Sequence, residues 1–369
     1  MNKTIFKTYL IYFIALVLFV GVRIASSFGA FNFISNDILR SDVATIIIQI
    51  VIMVLVPLLL CFLLLKKKPK EQFKSYKFNK ISFKAILISI GIGAILFFIN
   101  LIVANFFSSI IHAFGYSNSG STTTSAEGNP IVLFLLDVLF VAILPGFCEE
   151  FLHRGVLMRG VGDQTNYKFA IIISSICFGL MHLNIEQVFY ATILGMVIGF
   201  VGALSDNIIP CMILHFMNNF LSVYFSYASS QNWIGGNLFG YINSIYANNS
   251  AMFAFLFTAI VFALLIAGLI FLIYQLFKET RLKKIQQSLI NVQKEISGDL
   301  ENQTPEKLST DFKDYILPHL KNSEDVLQIV LPPKAKDCPK QTFASTIFLC
   351  ATIFMGVLIT IFTFIWGVI

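Results

Sequence analysis

The chain has 369 residues, of which 57% are hydrophobic and only 12% are charged. Because soluble domains carry about 25% charged residues, this composition excludes a soluble globular protein and indicates a polytopic membrane protein. Lysine and arginine number 26 against 20 aspartates and glutamates, which gives a formal net charge of +6. We therefore expect an all-α fold, a polytopic membrane helical bundle of about nine transmembrane helices.

Nine apolar windows are long enough to be considered helical spans of a bilayer. The fifth and sixth windows are short and nearly contiguous, which predicts a tight helical hairpin. We interpret the first window as a retained anchor, because it is long and lacks a clear small-x-small cleavage site. In chain order the windows cover residues 8–27, 44–65, 82–107, 131–150, 169–183, 187–204, 208–226, 251–277 and 343–368.

These windows divide the chain into five predicted regions. Three N-terminal spans with a basic loop at 66–84 are followed by a four-helix core, an external loop with the eighth span, a charged cytoplasmic segment and a C-terminal span. The corresponding residues are 1–128, 129–226, 227–277, 278–342 and 343–369.

The distribution of basic residues predicts the orientation of the spans. The loop at 66–84 carries eight lysines and one glutamate, whereas 108–130 and 227–250 contain no lysine or arginine. By the positive-inside rule the loop at 66–84 and the N-terminus are cytoplasmic, and the two segments without lysine or arginine lie outside. The abundance of Lys, Ile, Asn and Phe is typical of an AT-rich bacterial genome, so the predicted location is a bacterial plasma membrane.

The cysteines and the basic loop do not indicate a further function. Five of the six cysteines lie in apolar runs, and we expect them to be buried thiols. The basic loop at 66–84 is explained by topology and by attraction to anionic lipid headgroups, so no nucleic-acid partner is expected.

A few ionisable residues interrupt or border the apolar windows. Since an ionisable group in hydrocarbon costs a few kcal/mol, such residues are normally kept for function or for pairing. Glu150 and Arg154 have the i, i+4 spacing, acid first, that favours a helical ion pair. Glu149 points about 100° away around the same helix, which leaves it free to act as a general base. The main set comprises Glu149, Glu150, His153 and Arg154 at the fourth window, His182 on the fifth and His215 on the seventh, while Asp137 also lies within the fourth window and Glu186 follows the fifth.

Helical spacing also predicts contacts around these groups. His153 is four residues after Glu149 and is a candidate hydrogen-bond partner for it. Phe178 is positioned to pack beneath the His182 imidazole.

His215 and Asn219 share one helix face, where two side chains can hold a metal or orient a water. Alternatively, the Asn219 amide bridges helices. Two kinds of chemistry stay open at this point. A divalent metal could be held with an open position, or Glu149 could activate a water while the histidines and Asn219 stabilise the oxyanion.

Three motifs resemble those of the CPBP family, which comprises type II CAAX prenyl endopeptidases and bacterial relatives linked to bacteriocin processing or immunity. The resemblance covers roughly residues 130–225 and implies an α-helical intramembrane glutamate protease. The motifs are E-E-x-x-x-R (Glu149, Glu150, Arg154), F-x-x-x-H (Phe178, His182) and H-x-x-x-N (His215, Asn219).

The resemblance assigns roles residue by residue. Glu149 would be the base that activates water, with assistance from His182. His215 and Asn219 would form the oxyanion site or hold a metal, and Glu150 with Arg154 would be structural or substrate-positioning. If a zinc ion is used, the implied ligands are Glu149, His182 and His215.

The predicted function is therefore an intramembrane endopeptidase that hydrolyses a peptide bond of a membrane-embedded protein or peptide near the cytoplasmic half of the bilayer. One alternative is a non-catalytic immunity or scaffold protein on the same fold, although a scaffold has no need of the intact motif set. Another is an ion or proton carrier, but such carriers tend to contain repeated halves, and we find no internal duplication.

Overall fold

A computed structural model describes residues 3–117, 128–248, 250–283 and 343–368. Within these ranges the secondary structure is helical and contains no strand, which confirms the predicted all-α class. The helices are α1 (Lys3–Ser27), α2 (Asp37–Leu65), α3 (Pro69–Ser75), α4 (Phe83–Ala113), α5 (Pro130–Gly162), α6 (Tyr167–Met181), α7 (Ile185–Ser205), α8 (Ile209–Gln231), α9 (Leu238–Asn248), α10 (Ala251–Phe277, continued by Lys278–Leu282) and α11 (Phe343–Val368).

Each of the nine apolar windows falls on one of these helices. Seven of the described helices, namely α1, α2, α4, α5, α7, α10 and α11, are long and apolar enough to cross a membrane. Helix α6 is apolar but has only 15 residues, and α8 falls outside the group although it has 23 residues. The predicted membrane bundle is confirmed, and the count of nine spans stays a prediction. Most of the charged segment 278–342 lies outside the described residues.

Helix α5 is longer than the window that predicted it. The window ended at residue 150 because ionisable residues follow, but the helix continues to Gly162 with those residues buried and paired. Glu149 lies thirteen residues before Gly162, or about 20 Å at 1.5 Å per residue. His182 lies fifteen residues after Tyr167, so the two side chains reach similar depths from the same end of the bundle.

The two ends of the bundle carry different contacts. At one end, which we call the Lys77 end, Asp206 pairs with Lys77 at 3.4 Å and with Arg159 at 2.9 Å. At the other, the His112 end, the His112 imidazole lies 3.6 Å from the Glu186 carboxylate. The predicted hairpin of α6 and α7 turns at the His112 end, where Leu183 adopts a left-handed conformation with φ of 53°.

Most of the described cysteines are buried, as predicted. Cys61, Cys148, Cys177 and Cys211 have little exposure. Cys350 differs, because it faces outward from α11.

Helices α5 and α8 approach closely where the candidate site begins. A Cβ atom on Gly146 would lie 3.0 Å from the Phe216 backbone, a separation tighter than ordinary van der Waals contact. Small residues allow membrane helices to approach in this way. Gly146 is three residues before Glu149 and Phe216 directly follows His215, so this contact sets the spacing of the site.

We expect Gly146→Ala to lower the thermal stability of the purified protein, because overpacking of a tight contact costs about 1–3 kcal/mol. The matched control is Gly21→Ala on α1, where an added Cβ meets nothing within 4 Å. The measurement is the unfolding midpoint in detergent, and equal midpoints for the two variants would show that the α5–α8 contact is not limiting.

Candidate active site

The Glu150 carboxylate joins three helices inside the bundle. Its Oε1 accepts a hydrogen bond from Arg154 Nη1 and another from His215 Nδ1, each at 2.9 Å. Arg154 also donates through Nη2 to the Gly195 carbonyl of α7 at 2.9 Å. Glu150 is 0% exposed and Arg154 is 1% exposed. The ion pair predicted from the i, i+4 spacing is present, and it also orients His215 so that Nε2 points away from Glu150.

Glu149 has a different environment from that of its neighbour. Its Oε1 accepts a hydrogen bond from Gln49 Nε2 at 2.8 Å, and its Oε2 lies 4.0 Å from His215 Nε2. The side chain is 17% exposed, whereas that of Glu150 is fully buried. The two adjacent glutamates therefore differ: the Glu150 carboxylate is buried and paired, whereas the Glu149 carboxylate reaches a cavity.

His153 hydrogen-bonds to Glu149 as predicted, but it does so through the backbone carbonyl and not through the carboxylate. The imidazole Nδ1 donates to the Glu149 backbone carbonyl at 2.7 Å, because a side chain four residues later lies over that carbonyl. Its Nε2 accepts from the Tyr12 hydroxyl at 2.9 Å. His153 is thus a structural link between α5 and α1.

Phe178 lies at the centre of the histidines. Its ring makes edge-on contacts with His153, His182 and His215 at centroid distances of 5.0, 4.9 and 5.4 Å. The Arg154 guanidinium lies over the same ring, 4.8 Å from its centroid. The predicted contact between Phe178 and His182 is one of several, and aromatic pairs of this kind add about 0.5–1.5 kcal/mol each.

The hydrogen bond of His182 determines which ring nitrogen faces the cavity. Nδ1 donates to the Phe178 carbonyl at 2.9 Å, which leaves Nε2 available on the opposite side of the ring. His215 has the same arrangement, with Nδ1 bound to Glu150. Each Nε2 is therefore an acceptor when the ring is neutral and a donor when it is protonated.

The Asn219 amide bridges helices, which is one of the two roles that the sequence allowed for it. Its Nδ2 donates to the Val141 carbonyl of α5 at 3.0 Å, and its Oδ1 accepts from Asn218 at 3.0 Å. Asn218 in turn accepts from Asn100 on α4 at 3.4 Å. This amide chain connects three helices, while one N–H of Asn219 remains without a protein partner in the described part of the chain.

A cavity of about 610 Å³ connects the predicted catalytic side chains. Glu149, His182, His215 and Asn219 all line it, together with Gln49. A cavity of this size is large enough for several residues of a peptide or for a small ligand. The structure thus brings together residues from four helices that are up to 170 positions apart in the sequence.

The metal hypothesis has a specific geometric requirement. A catalytic zinc site normally uses three protein ligands and one open position. In the described ranges no three His, Cys, Asp or Glu side chains are placed so that they could hold a metal ion. Glu149, His182 and His215 share the cavity without forming such a group, and we derive no reaction step through a metal.

Sequence reasoning missed two residues of the N-terminal helices. Tyr12 binds His153, and Gln49 binds Glu149 from a π-type turn of α2, Ile47–Leu55. Gln49 is 6% exposed, and its Oε1 has no hydrogen-bond partner among the described residues. The available signal was a lone polar residue in the run I-I-I-Q-I-V-I-M-V-L, since polar groups in spans usually have a purpose.

Comparison with known proteins supports the assignment of the core. The sequence model of the "Type II CAAX prenyl endopeptidase Rce1-like" family matches residues 131–221, which contain all seven motif residues. Residues 131–221 are therefore similar to this family of membrane proteases. The matched range covers α5 to α8, and the helices that supply Gln49 and Tyr12 lie outside it.

Two curated proteins are similar over a longer stretch. "Putative membrane peptidase YdiL" of Bacillus subtilis (strain 168) is 25% identical over 178 residues, which are 48% of this chain and 70% of that protein. An uncharacterized protein of Mycoplasma capricolum subsp. capricolum (strain California kid) is 27% identical over 221 residues, 56% of this chain and 62% of that protein. No solved structure matches the chain significantly.

We expect Arg154→Met to reduce the stability of the folded protein by about 3–5 kcal/mol, because it leaves the Glu150 charge buried without its cation. The control is Arg40→Met, which removes an ion pair with the exposed Asp37 at 3.1 Å and two hydrogen bonds to the Ile34 carbonyl but leaves no buried charge, and should change stability far less than Arg154→Met. Thermal unfolding in detergent distinguishes the two. A normal unfolding midpoint for Arg154→Met would show that the Glu150–Arg154 pair does not stabilise the fold, and would favour a role in the reaction.

Proposed function

We propose that the protein is an intramembrane endopeptidase in which Glu149 activates a water molecule for attack on a peptide bond of a membrane-embedded protein or peptide. The observation that carries this proposal is the position of Glu149. Its Oε2 faces His215 Nε2 at 4.0 Å in a cavity, and the arginine on the same helix, Arg154, is bound to Glu150. A water beside this pair can hydrogen-bond to both groups while the carboxylate stays free to accept a proton.

In the proposed reaction the water oxygen bonds to the carbonyl carbon, and a water proton passes to Glu149 Oε2. The tetrahedral intermediate then loses its amine when the C–N bond breaks, and the proton held by Glu149 passes to that nitrogen. The products are a carboxylic acid and an amine, so the net change is the addition of one water. General-base catalysis of this kind contributes about 10²–10⁴-fold.

The oxyanion of the intermediate needs hydrogen-bond donors. His182 and His215 both use Nδ1–H for internal hydrogen bonds, so each can donate through Nε2 only as an imidazolium. The second N–H of Asn219 is a donor that needs no change of protonation. We assign these three groups to the oxyanion site, with Asn219 as the permanent donor.

The remaining motif residues support the catalytic side chains. Glu150 and Arg154 hold the His215 ring from below, and Phe178 separates the three imidazoles and fixes their planes. We assign these residues to positioning, since Glu150 and Arg154 do not line the cavity and Phe178 lines it with a ring that has no polar atom.

The first test is Glu149→Gln, which preserves size and should reduce proteolysis at least 100-fold in a protein of normal abundance and stability. Membrane proteomics of cells with wild-type or variant protein would identify substrates that accumulate. Glu150→Gln is the matched control, because it should lower the amount of folded protein by weakening the contact with Arg154. Turnover by Glu149→Gln within tenfold of wild type would exclude Glu149 as the base.

A second test addresses the position of Glu149. Gln49→Leu removes the hydrogen bond to Oε1 with little change in volume, and we expect kcat to fall about 10–100-fold with little change in KM, because small misplacements of catalytic groups have effects of this size. The control is Gln72→Leu, which removes a buried glutamine whose amide binds the Leu58 and Lys67 carbonyls away from the site. This control should affect stability and leave kcat of the folded fraction unchanged. A normal kcat for Gln49→Leu would show that Glu149 is held by other contacts.

A third test concerns the metal. Because the described residues do not bring three ligands together, we expect activity to persist after phenanthroline treatment and in protein with less than about a tenth of an equivalent of transition metal. Elemental analysis and zinc add-back complete the measurement. Loss of activity with the chelator and recovery with zinc would favour the metal route, in which bound water is acidified.

A further inference from the structure

Three asparagine side chains of the catalytic cavity are joined by hydrogen bonds that run in one direction. Asn100 Nδ2 on α4 donates to Asn218 Oδ1 at 3.4 Å, and Asn218 Nδ2 donates to Asn219 Oδ1 at 3.0 Å. Asn219 Nδ2 then donates to the Val141 carbonyl of α5 at 3.0 Å. All four residues line the cavity. The chain of amides therefore begins on α4 with a donor and ends on α5 at a backbone acceptor.

The Val141 carbonyl determines the direction of this chain. Pro145 lies four residues later and has no backbone N–H, so it cannot make the α-helical hydrogen bond to that carbonyl. The helix is π-type here, over Val138–Ile143, and the carbonyl accepts from the Asn219 side chain. Since a carbonyl oxygen can only accept, the Asn219 amide must direct its nitrogen toward α5.

The orientation of the Asn219 amide decides whether it can stabilise an oxyanion. A 180° rotation about the last side-chain bond exchanges the amide oxygen and nitrogen with little change of shape. In the observed orientation the second N–H is a donor for the intermediate, whereas the rotated amide would place its oxygen against a developing negative charge. The Val141 carbonyl and the Asn218 N–H hold the observed orientation from two sides.

Asn218 can hold Asn219 only if its own amide is oriented correctly. The same rotation at Asn218 would turn its oxygen toward Asn219 Oδ1 and remove the hydrogen bond between them. The N–H of Asn100 opposes this rotation, because it binds Asn218 Oδ1 and so leaves Nδ2 for Asn219. Asn218 is only 8% exposed, so water has little access to replace that donor.

The position of Asn100 is set by the packing of α4 against α8. Gly93, Phe97 and Asn100 have the i, i+4, i+7 spacing of one helix face. A Cβ atom on Gly93 would lie 2.6 Å from Met217 Cβ, so the two helices approach closely there. Phe97 stacks on Phe225 with a centroid distance of 5.7 Å. Contacts on both sides of the chain of amides thus hold the Asn100 side chain on a rigid helix.

The sequence context of Asn100 also indicates a purpose. Asn100 interrupts an apolar run of α4, F-F-I-N-L-I-V-A, and polar groups in membrane-spanning segments are normally retained for a partner or a function. Its partner is Asn218. Helix α4 lies outside residues 131–221, which match the family, so the amides connect the matched core to a helix that the match does not include.

We propose that Asn100 is a positioning residue of the oxyanion site, which acts through Asn218 to keep an N–H of Asn219 directed at the cavity. This proposal rests on the proposed function, in which Asn219 is the permanent oxyanion donor. It assigns to α4 a part in the reaction that the motif residues of α5 to α8 do not supply. Because the 3.4 Å bond is the longest of the three, loss of Asn100 should slow the reaction without abolishing it.

The test is a double-mutant cycle in full-length protein with Asn100→Leu, Asn219→Ala and the combined variant. The probe is an internally quenched peptide that spans a cut site found by proteomics, and kcat and KM are measured per mole of folded protein. We expect Asn100→Leu to lower kcat about 10-fold and Asn219→Ala about 100-fold, with KM within about threefold of wild type in both. The combined variant should have the kcat of Asn219→Ala within about threefold, because Asn100 acts only through Asn219.

Asn105→Leu is the matched control, since it makes the same change at an exposed position of α4 that does not line the cavity. Its kcat should equal that of wild type. Asn100→Ala takes the place of Asn100→Leu in the cycle if leucine lowers the unfolding midpoint.

A normal kcat for Asn100→Leu, a change confined to KM, or a further loss of about tenfold in the combined variant would overturn the proposal. Failure of both Asn100 variants to fold would also overturn it, since Asn100 would then be a structural residue. A normal kcat for Asn219→Ala would remove the oxyanion assignment and the role of Asn100 with it. Glu149→Gln, measured in parallel, tests the proposed base separately, because the cycle reports on Asn100 and Asn219 whichever group activates the water.

Discussion

The Glu150 carboxylate is the interaction on which the site depends. A buried charge is tolerated only when it is paired and hydrogen-bonded, and here one oxygen binds both Arg154 and His215. Arg154 continues the connection to the backbone of α7. Three helices are thus held at one point in the membrane, where lipid offers no competing water. This arrangement also determines the tautomer of His215, because Nδ1 must donate to Glu150.

The contrast between the two glutamates follows from that constraint. Since Glu150 occupies the arginine, Glu149 faces the cavity and receives only an uncharged donor, the amide of Gln49. A general base needs a donor that holds its carboxylate in one orientation without neutralising its charge. The donor comes from α2, outside the range matched by the protease family, so the N-terminal helices complete the site in addition to anchoring it.

The same contacts fill one side of the level of Glu149 and leave a cavity on the other. Paired charges and bulky apolar groups fill the space between Glu149 and the basic loop, whereas polar residues border the cavity. In the proposed protease, the shape of this cavity limits which membrane peptides can reach Glu149.

Much of this protein was determined by its sequence alone. Low charge and long apolar windows are sufficient for a helical membrane bundle, and i, i+4 spacing is sufficient for the pair of Glu150 with Arg154. The seven motif residues identified the family because each motif is local to one helix. Local spacing identified the partner of His153 but missed the contacted atom, a backbone carbonyl that the spacing argument did not consider. It also ended the fourth span too early, because hydropathy treats a paired charge like a solvated one.

Only the tertiary structure brought Gln49 to Glu149 and gave the cavity its direction. Such contacts join residues 100 positions apart, and they depend on how helices pack. The spacing of residues within a single helix carries no information about that packing.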